Sequence, residues 1–194
     1  MTESGTVSTF TATSSAEGGN TYTTGSVSGN TSGQVCDKIH STAHNLRSVW
    51  RISIGSTTSC RLWIGYSEGT LVNMLDSDTP SKNYLAFRFS TAAGDSNWKC
   101  ITDNGTGSPT IKDSGVAVAA GEYILGILHN TPLNTTSFFI NRLAASGDPF
   151  LVANIIATIP SAATLIGQMA GIETLAAATK NFSVHYMNSR SRVV

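Results

Sequence analysis

The sequence of 194 residues is long enough to bury a sizeable core. Lysine plus arginine and aspartate plus glutamate number 12 each, so there is no excess of basic residues to neutralise phosphates, which argues against a nucleic-acid-binding protein. Charged residues make up only 12 % of the chain, and Ser, Thr, Asn and Gly fill the difference, a composition that favours an all-β fold.

The first 34 residues differ in composition from the rest of the chain. Residues 1–35 contain 16 Ser or Thr and no Lys or Arg, with few large apolar groups. Such a segment buries too little apolar surface to fold alone, so we expect an extended arm that orders against a surface of the same or another subunit. The candidate docking residues are Thr9, Phe10, Thr11 and Tyr22.

The remainder, residues 35–194, alternates apolar and polar residues in segments of strand length. "HNLRSVWRISIG" and "TSCRLWIGYSE" are joined by a hairpin loop, and residues 69–83 are expected to form a longer connection. "YLAFRFS" and "NWKCIT" follow, each closed by a turn, "GDS" and "DNG".

Further strand-length segments continue to the end of the chain. They are "TIKDSGVAV", "GEYILGILH", "TSFFINRLAA", "FLVANIIATIP", "ATLIGQMAGIE" and "KNFSVHYMNSR". In the last of these, Phe182, Val184 and Tyr186 are expected to share one face. The best candidate for a short helix is "TLAAATKN". Regular spacing of short strands and turns predicts an antiparallel β-sandwich, jelly-roll-like, spanning residues 35–194 behind the N-terminal arm.

Neither a membrane span nor a secretory signal is predicted. The longest apolar region, residues 150–172, is interrupted by polar residues and a proline, and Met1 is followed by polar residues rather than by a basic patch and an apolar run. We therefore expect synthesis in the cytoplasm. Cys36, Cys60 and Cys100 are widely spaced and odd in number, which favours buried free thiols over one disulfide plus a spare thiol.

Acidic turns raise the question of a calcium site. Asp95 and Asp103 carry the oxygen ligands that Ca²⁺ prefers, but no closing glutamate at the required offset follows Asp103. Asp, Asn and Gly are also ordinary turn formers. We therefore interpret both segments as turns and predict no metal site.

No catalytic signature is present in the sequence. The four histidines are scattered without an HExxH pattern, and nucleophile-elbow, P-loop and dinucleotide motifs are absent. We therefore predict a protein that is not an enzyme and has no cofactor. Trp50, Trp63 and Trp98 could stack on sugars from an exposed face, but tryptophans in such strands are more often core residues, and we predict that here.

The order of these motifs resembles a known family. "RLWIGYS", "YLAFRFSTAAGDSNWKCITDNGTG", "KDSGVAV", "FFINRL", "TIP" and "NFSVHYM" follow one another as in a β-sandwich of tailed-bacteriophage virion proteins, over about residues 35–190. The family comprises jelly-roll modules of head-decoration (cement) proteins and of tail-fibre or tail-knob proteins. The resemblance implies a structural or receptor-contact role, a trimer, and no catalytic residues to transfer.

Two main hypotheses follow from these observations, beside the further alternative of a glycan-degrading enzyme of sandwich fold. The first is a structural virion protein, a capsid decoration (cement) protein on the capsid surface that binds the major capsid protein or other virion proteins through its arm. The second is a tail-fibre or tail-knob module that binds a receptor or a host glycan through exposed aromatic residues. Both place the mature protein in the virion after synthesis in the bacterial host cytoplasm.

Overall fold

A computed structural model describes residues 8–12, 31–35, 38–143, 149–176 and 180–192, and it gives side chains for residues 38–143, 149–176 and 180–189. Strands dominate these ranges. They are β1 (Ser8–Ala12), β2 (Thr31–Val35), β3 (Asn45–Ile54), β4 (Cys60–Ser67), β5 (Asn83–Ser90), β6 (Asn97–Asn104), β7 (Thr110–Ala117), β8 (Gly121–Asn130), β9 (Thr135–Arg142), β10 (Phe150–Ile155), β11 (Gly167–Thr174) and β12 (Lys180–Arg192), with one helix, α1 (Leu71–Leu75), between β4 and β5.

The strands form two six-stranded antiparallel sheets. The first sheet has the order β1-β12-β3-β8-β9-β10, and the second has the order β2-β11-β4-β5-β6-β7. Each sheet therefore mixes strands from distant parts of the chain, as jelly-roll connections require. The predicted antiparallel β-sandwich is confirmed.

The core lies between the sheets and is built by the alternation that the sequence shows. On β3, Trp50 and Ile52 face inward, and on β4 Leu62 and Ile64 do the same. Aromatic rings contact one another in edge-to-face pairs across the interior, for example Phe87 on β5 with its ring centroid 5.1 Å from that of a phenylalanine on β9. Such pairs stabilise a core beyond the area that they bury.

The N-terminal segment contributes one edge strand to each sheet. β1 pairs with β12, so that Thr9, Phe10 and Thr11 lie opposite Ser183, Phe182 and Asn181. β2 pairs with β11 in the second sheet. The described parts of the arm therefore pair within their own chain, while the division into an arm (1–34) and a domain (35–194) stays a prediction.

A β-bulge changes the facing of the last strand. The pairing of β12 with β3 shifts between Val184 and Tyr186, so one extra residue lies on β12. Phe182 and Val184 stay buried, whereas Tyr186 is 42 % exposed and Met187 packs against the core in its place. The expectation that Tyr186 shares the face of Phe182 was wrong because a bulge reverses the alternation beyond it.

The outer face of the second sheet is covered by residues 69–82, here called the cover segment. Its helix α1 begins at a capping box, in which the Thr70 hydroxyl accepts from the Asn73 amide at 3.3 Å and the Asn73 side chain accepts from the Thr70 amide. Leu71, Met74 and Leu75 are buried against the sheet.

The single helix of the described ranges is not the one that was expected. Residues 69–83 connect β4 to β5, as expected, and also contain α1, because the capping box and the apolar face of the segment stabilise one helical turn against the sheet. "TLAAATKN" supplies the end of β11 and the start of β12 instead, with residues 177–179 outside the described ranges. Within those ranges no helix has the length and apolar content needed to cross a membrane.

Candidate functional site

Three of the four sequence-predicted docking residues lie in an edge strand. Thr9, Phe10 and Thr11 are the central residues of β1 at the edge of the first sheet, and Tyr22 lies outside the described residues. Among the described strands β1 has only β12 as a neighbour, and such an edge is where a further strand can pair. This is where an arm-mediated contact would form.

The carboxylates of the two acidic turns, Asp95 and Asp103, accept hydrogen bonds from other groups of the protein. The Asp95 carboxylate accepts two hydrogen bonds from the Arg88 guanidinium, at 3.0 and 3.1 Å, and one from the Ser90 amide. Asp103 accepts from the Thr106 amide at 3.0 Å, which closes the Asp-Asn-Gly turn. In the described part of the chain, no group of three or more His, Cys, Asp or Glu side chains could hold a metal ion.

The tryptophans and two of the cysteines are core residues. Trp50, Trp63 and Trp98 are fully buried, which confirms their predicted core role and removes them as an exposed sugar platform. Cys60 and Cys100 are buried free thiols, while Cys36 lies outside the described residues. Burial raises the pKa of the Cys60 thiol to about 11, so it carries no nucleophilic thiolate at neutral pH.

A buried ion network fastens the cover segment to the second sheet. Arg61 on β4 donates to Asp78 of the cover segment at 2.7 Å and to Glu173 on β11 at 2.5 Å. Arg61 also donates to the carbonyl of Leu75, at the end of α1. On β5, Arg88 donates to the carbonyl of Asp78. These contacts hold the cover segment over the outer face of β4, β5 and β11.

The outer face of the first sheet, in contrast, carries an open groove. Two cavities of about 290 and 480 Å³ adjoin there and share the residues Arg47, Ser48 and Val49 on β3. The smaller cavity reaches Tyr186 and Asn188 on β12. The larger one is also lined by Ile124, Gly126, Ile127, Leu128, Phe139 and Pro149. We call the combined cavity the sheet groove.

The floor of the sheet groove is one cross-strand row. Asn188 lies opposite Val49, Val49 opposite Gly126, and Gly126 opposite Phe139. Gly126 has no side chain to fill this row, and a Cβ there would lie 3.4 Å from the Cβ of Phe139, an ordinary contact. The groove therefore exists because a glycine in the middle of β8 is flanked by larger side chains on both sides.

A serine, a histidine and a glutamate meet beside the groove without forming a catalytic triad. The Ser53 hydroxyl contacts Nε2 of His185, and an oxygen of Glu122 lies 3.8 Å from the same nitrogen. In a triad the nucleophile and the acid bind opposite ring nitrogens. Glu122 is instead held by Arg51 at 2.8 Å, and that hydrogen bond lowers the pKa of Glu122 below its usual range.

Sequence reasoning missed the sheet groove. Its residues come from β3, β8, β9 and β12, which lie far apart in the chain and become neighbours only through sheet topology. The only local signal is the glycine within the apolar run "YILGILH". An isolated glycine in a strand marks a bulge or a close approach to another group, but it does not show which face is open.

Comparisons with known proteins show the fold. The sequence matches no family profile, and no curated protein matches it significantly. A protein of unknown function from Shewanella oneidensis MR-1 is similar in structure, with a TM-score of 0.57 and 10 % identity over 79 % of this chain, which spans 60 % of that protein. Winged bean acidic lectin complexed with methyl-α-D-galactose has a TM-score of 0.53 and 10 % identity, over 81 % of this chain and 76 % of the lectin. Bacillus licheniformis β-glucanase has a TM-score of 0.51 and 11 % identity, over 79 % of this chain and 69 % of the glucanase.

Proposed function

We propose that this chain is a non-catalytic binding module of a tailed-bacteriophage virion, and that the sheet groove binds a host-surface glycan. The observation that carries the proposal is the groove itself, which lies open on one sheet, while the cover segment buries the outer face of β11, β4 and β5 in the other sheet. The groove combines an apolar floor with a few polar groups, as ligand sites do.

Aromatic and polar groups suited to sugars line the sheet groove. Tyr186 on β12 is 42 % exposed and presents both a ring face and a hydroxyl. Asn188 adds an amide that can donate and accept hydrogen bonds. The winged bean lectin is complexed with a sugar, but at 10 % identity its likeness to this chain supports only the fold. The support for glycan binding comes from the groove residues themselves.

A groove-filling variant tests this proposal. Gly126→Leu adds a side chain over the central row and is expected to weaken retention on host lipopolysaccharide or on a glycan array about tenfold or more, a loss of about 1.4 kcal/mol. Gly126→Ala is the matched control and is expected to bind nearly as the unmodified chain, since its Cβ meets only ordinary contacts. Unchanged binding by Gly126→Leu would exclude the groove as the glycan site.

Capsid decoration is the second candidate, and the position of the arm favours it. β1 and β2 each form one edge of the two sheets among the described strands, so the arm supplies edges on which a capsid protein could add a strand. In this role the protein would be a trimer on the capsid surface, with the major capsid protein as its partner. Several copies together would convert weak single contacts into firm attachment.

Deletion of residues 1–34 tests the decoration role. We expect the truncated chain to keep a cooperative thermal transition, because β3 to β12 supply five strands of each sheet and the two core clusters, but to lose cosedimentation with virions that lack the protein. Cosedimentation of the truncated chain at the level of the full chain would contradict an attachment role for the arm.

A further inference from the structure

We propose that the ligand of the sheet groove is an acidic sugar whose carboxylate binds Arg47. This inference rests on the glycan-binding function proposed above and specifies its chemical class. Arg47 is an exposed residue in the middle of the groove, because it lines both of the adjoining cavities. A ligand lying along the groove therefore passes this guanidinium.

Arg47 differs from the other arginines whose side chains the structure describes. Arg51, Arg61 and Arg88 each hold a carboxylate, and Arg142 donates to the carbonyl of Ala120. In the same ranges, no carboxylate or carbonyl oxygen is bonded to Arg47. Within these ranges its five N–H donors therefore have no carboxylate or carbonyl partner, and they can bind a ligand.

The described lining of the groove holds no charge that compensates Arg47. Among the described residues that line it there is no aspartate or glutamate. Glu122, an acid on the same sheet face, is bound to Arg51 at 2.8 Å. Charge complementarity therefore selects an anionic ligand.

The groups around Arg47 fit a carboxylated sugar. A guanidinium binds a carboxylate through two parallel hydrogen bonds, which fixes orientation as well as charge. Tyr186 offers a ring face to the C–H groups of a pyranose, and Asn188 can bind its hydroxyls. Sugars with one carboxylate per ring, the uronic and sialic acids, present these groups together. A sugar phosphate shares the anionic chemistry, and the experiment separates the two.

The full chain is to be tested for retention on polygalacturonate, alginate, hyaluronate and polysialate, each beside its carboxyl-reduced form. Phosphomannan and a panel of neutral glycans serve as further arms. We expect binding to at least one acidic polymer and at least tenfold weaker binding to its reduced form. Arg47→Gln should bind the acidic polymer at least tenfold more weakly than the unmodified chain does. The affinity of Arg47→Lys should lie between those of the unmodified chain and Arg47→Gln, because lysine keeps the charge without the planar guanidinium.

Lys38→Gln is the matched control. It removes the same unit charge from an exposed position that does not line the groove, and it should bind as the unmodified chain does. Arg47 is exposed and bonded to no described acceptor, so Arg47→Gln should melt at an unchanged temperature. Weaker binding by Arg47→Gln, with an unchanged melting temperature, then measures the loss of the contact between Arg47 and the ligand.

Several outcomes would overturn the inference. Equal binding to acidic and carboxyl-reduced polymers, binding only to neutral glycans, or unchanged binding by Arg47→Gln would remove the acidic sugar but leave glycan binding intact. Retention on phosphomannan alone would assign a phosphate instead. Self-association that Arg47→Gln abolishes would assign the groove to a second copy of the chain. Absence of binding to every glycan would overturn the proposed function as well.

Discussion

Replacing Arg61 with methionine is expected to lower the free energy of unfolding by about 3–5 kcal/mol at pH 8, because it leaves buried carboxylates without their cation. The Arg61 side chain is 9 % exposed and joins Glu173 on β11 to Asp78 of the cover segment. Without it, two acids and the carbonyl of Leu75 lose their donor in the same small volume. Urea unfolding at several pH values measures the effect.

The loss should depend on pH with a defined sign. Burial raises the pKa of Glu173 to about 7 from its ordinary 4.5. Between these values the folded protein holds a proton that the unfolded chain has released, so this contribution to stability is full below about pH 4.5 and disappears as pH rises through about 7. Arg61→Met should therefore cost less at pH 5, where Glu173 is neutral, than at pH 8.

Two variants control for this interpretation. Arg51→Met removes the equivalent partner from an arginine–glutamate pair that is 42 % and 36 % exposed, and it should cost only about 0–1 kcal/mol. Glu173→Gln keeps an acceptor for Arg61 and should flatten the pH dependence between about 4.5 and 7. Equal costs for Arg61→Met and Arg51→Met would show that the buried network does not hold the cover segment.

Local sequence patterns predicted the sandwich because strand alternation is a local property. Trp50 and Ile52 on β3, like Leu62 and Ile64 on β4, face the core as the period of two requires. The same reasoning failed at Tyr186, since one extra residue in β12 leaves the local pattern intact and changes only the register with β3. A bulge is defined by the partner strand, which the sequence of one strand does not contain.

The cover segment and the sheet groove could not be predicted for a related reason. β4 is buried on both faces, and its outer residues Arg61 and Trp63 look like any polar and aromatic residues of a half-exposed strand. Their burial comes from α1, whose position depends on contacts across the sheet. Likewise, nothing in the sequence around Arg47 shows that this arginine lines the same groove as Asn188 and Gly126. Sheet topology assembled the site that composition and motifs did not identify.

Gly65→Ala is expected to be the most damaging small substitution in the second sheet. A Cβ at this position would lie 2.3 Å from the carbonyl oxygen of Leu85 and 2.5 Å from the Cα of Ala86. Both atoms belong to the backbone of β5, and β4 is held on its other side by β11, so neither strand can move away cheaply. We expect a loss of about 3 kcal/mol, at the upper end of the usual cost of overpacking.

Gly126→Ala provides the comparison for Gly65→Ala, because it makes the same change within a strand of the first sheet. There the new Cβ would meet only ordinary van der Waals contacts, the nearest at 3.4 Å from the Cβ of Phe139, and the free energy of unfolding should change by less than about 1 kcal/mol. Chemical unfolding of both variants measures the difference. If Gly65→Ala were as stable as Gly126→Ala, β4 and β5 could not approach as closely as the structure has them.

The edge-to-face packing of Trp63 on Tyr84, with ring centroids 5.3 Å apart, joins the same two strands on the outer face. The close approach at Gly65 therefore also supports the apolar surface on which the cover segment rests.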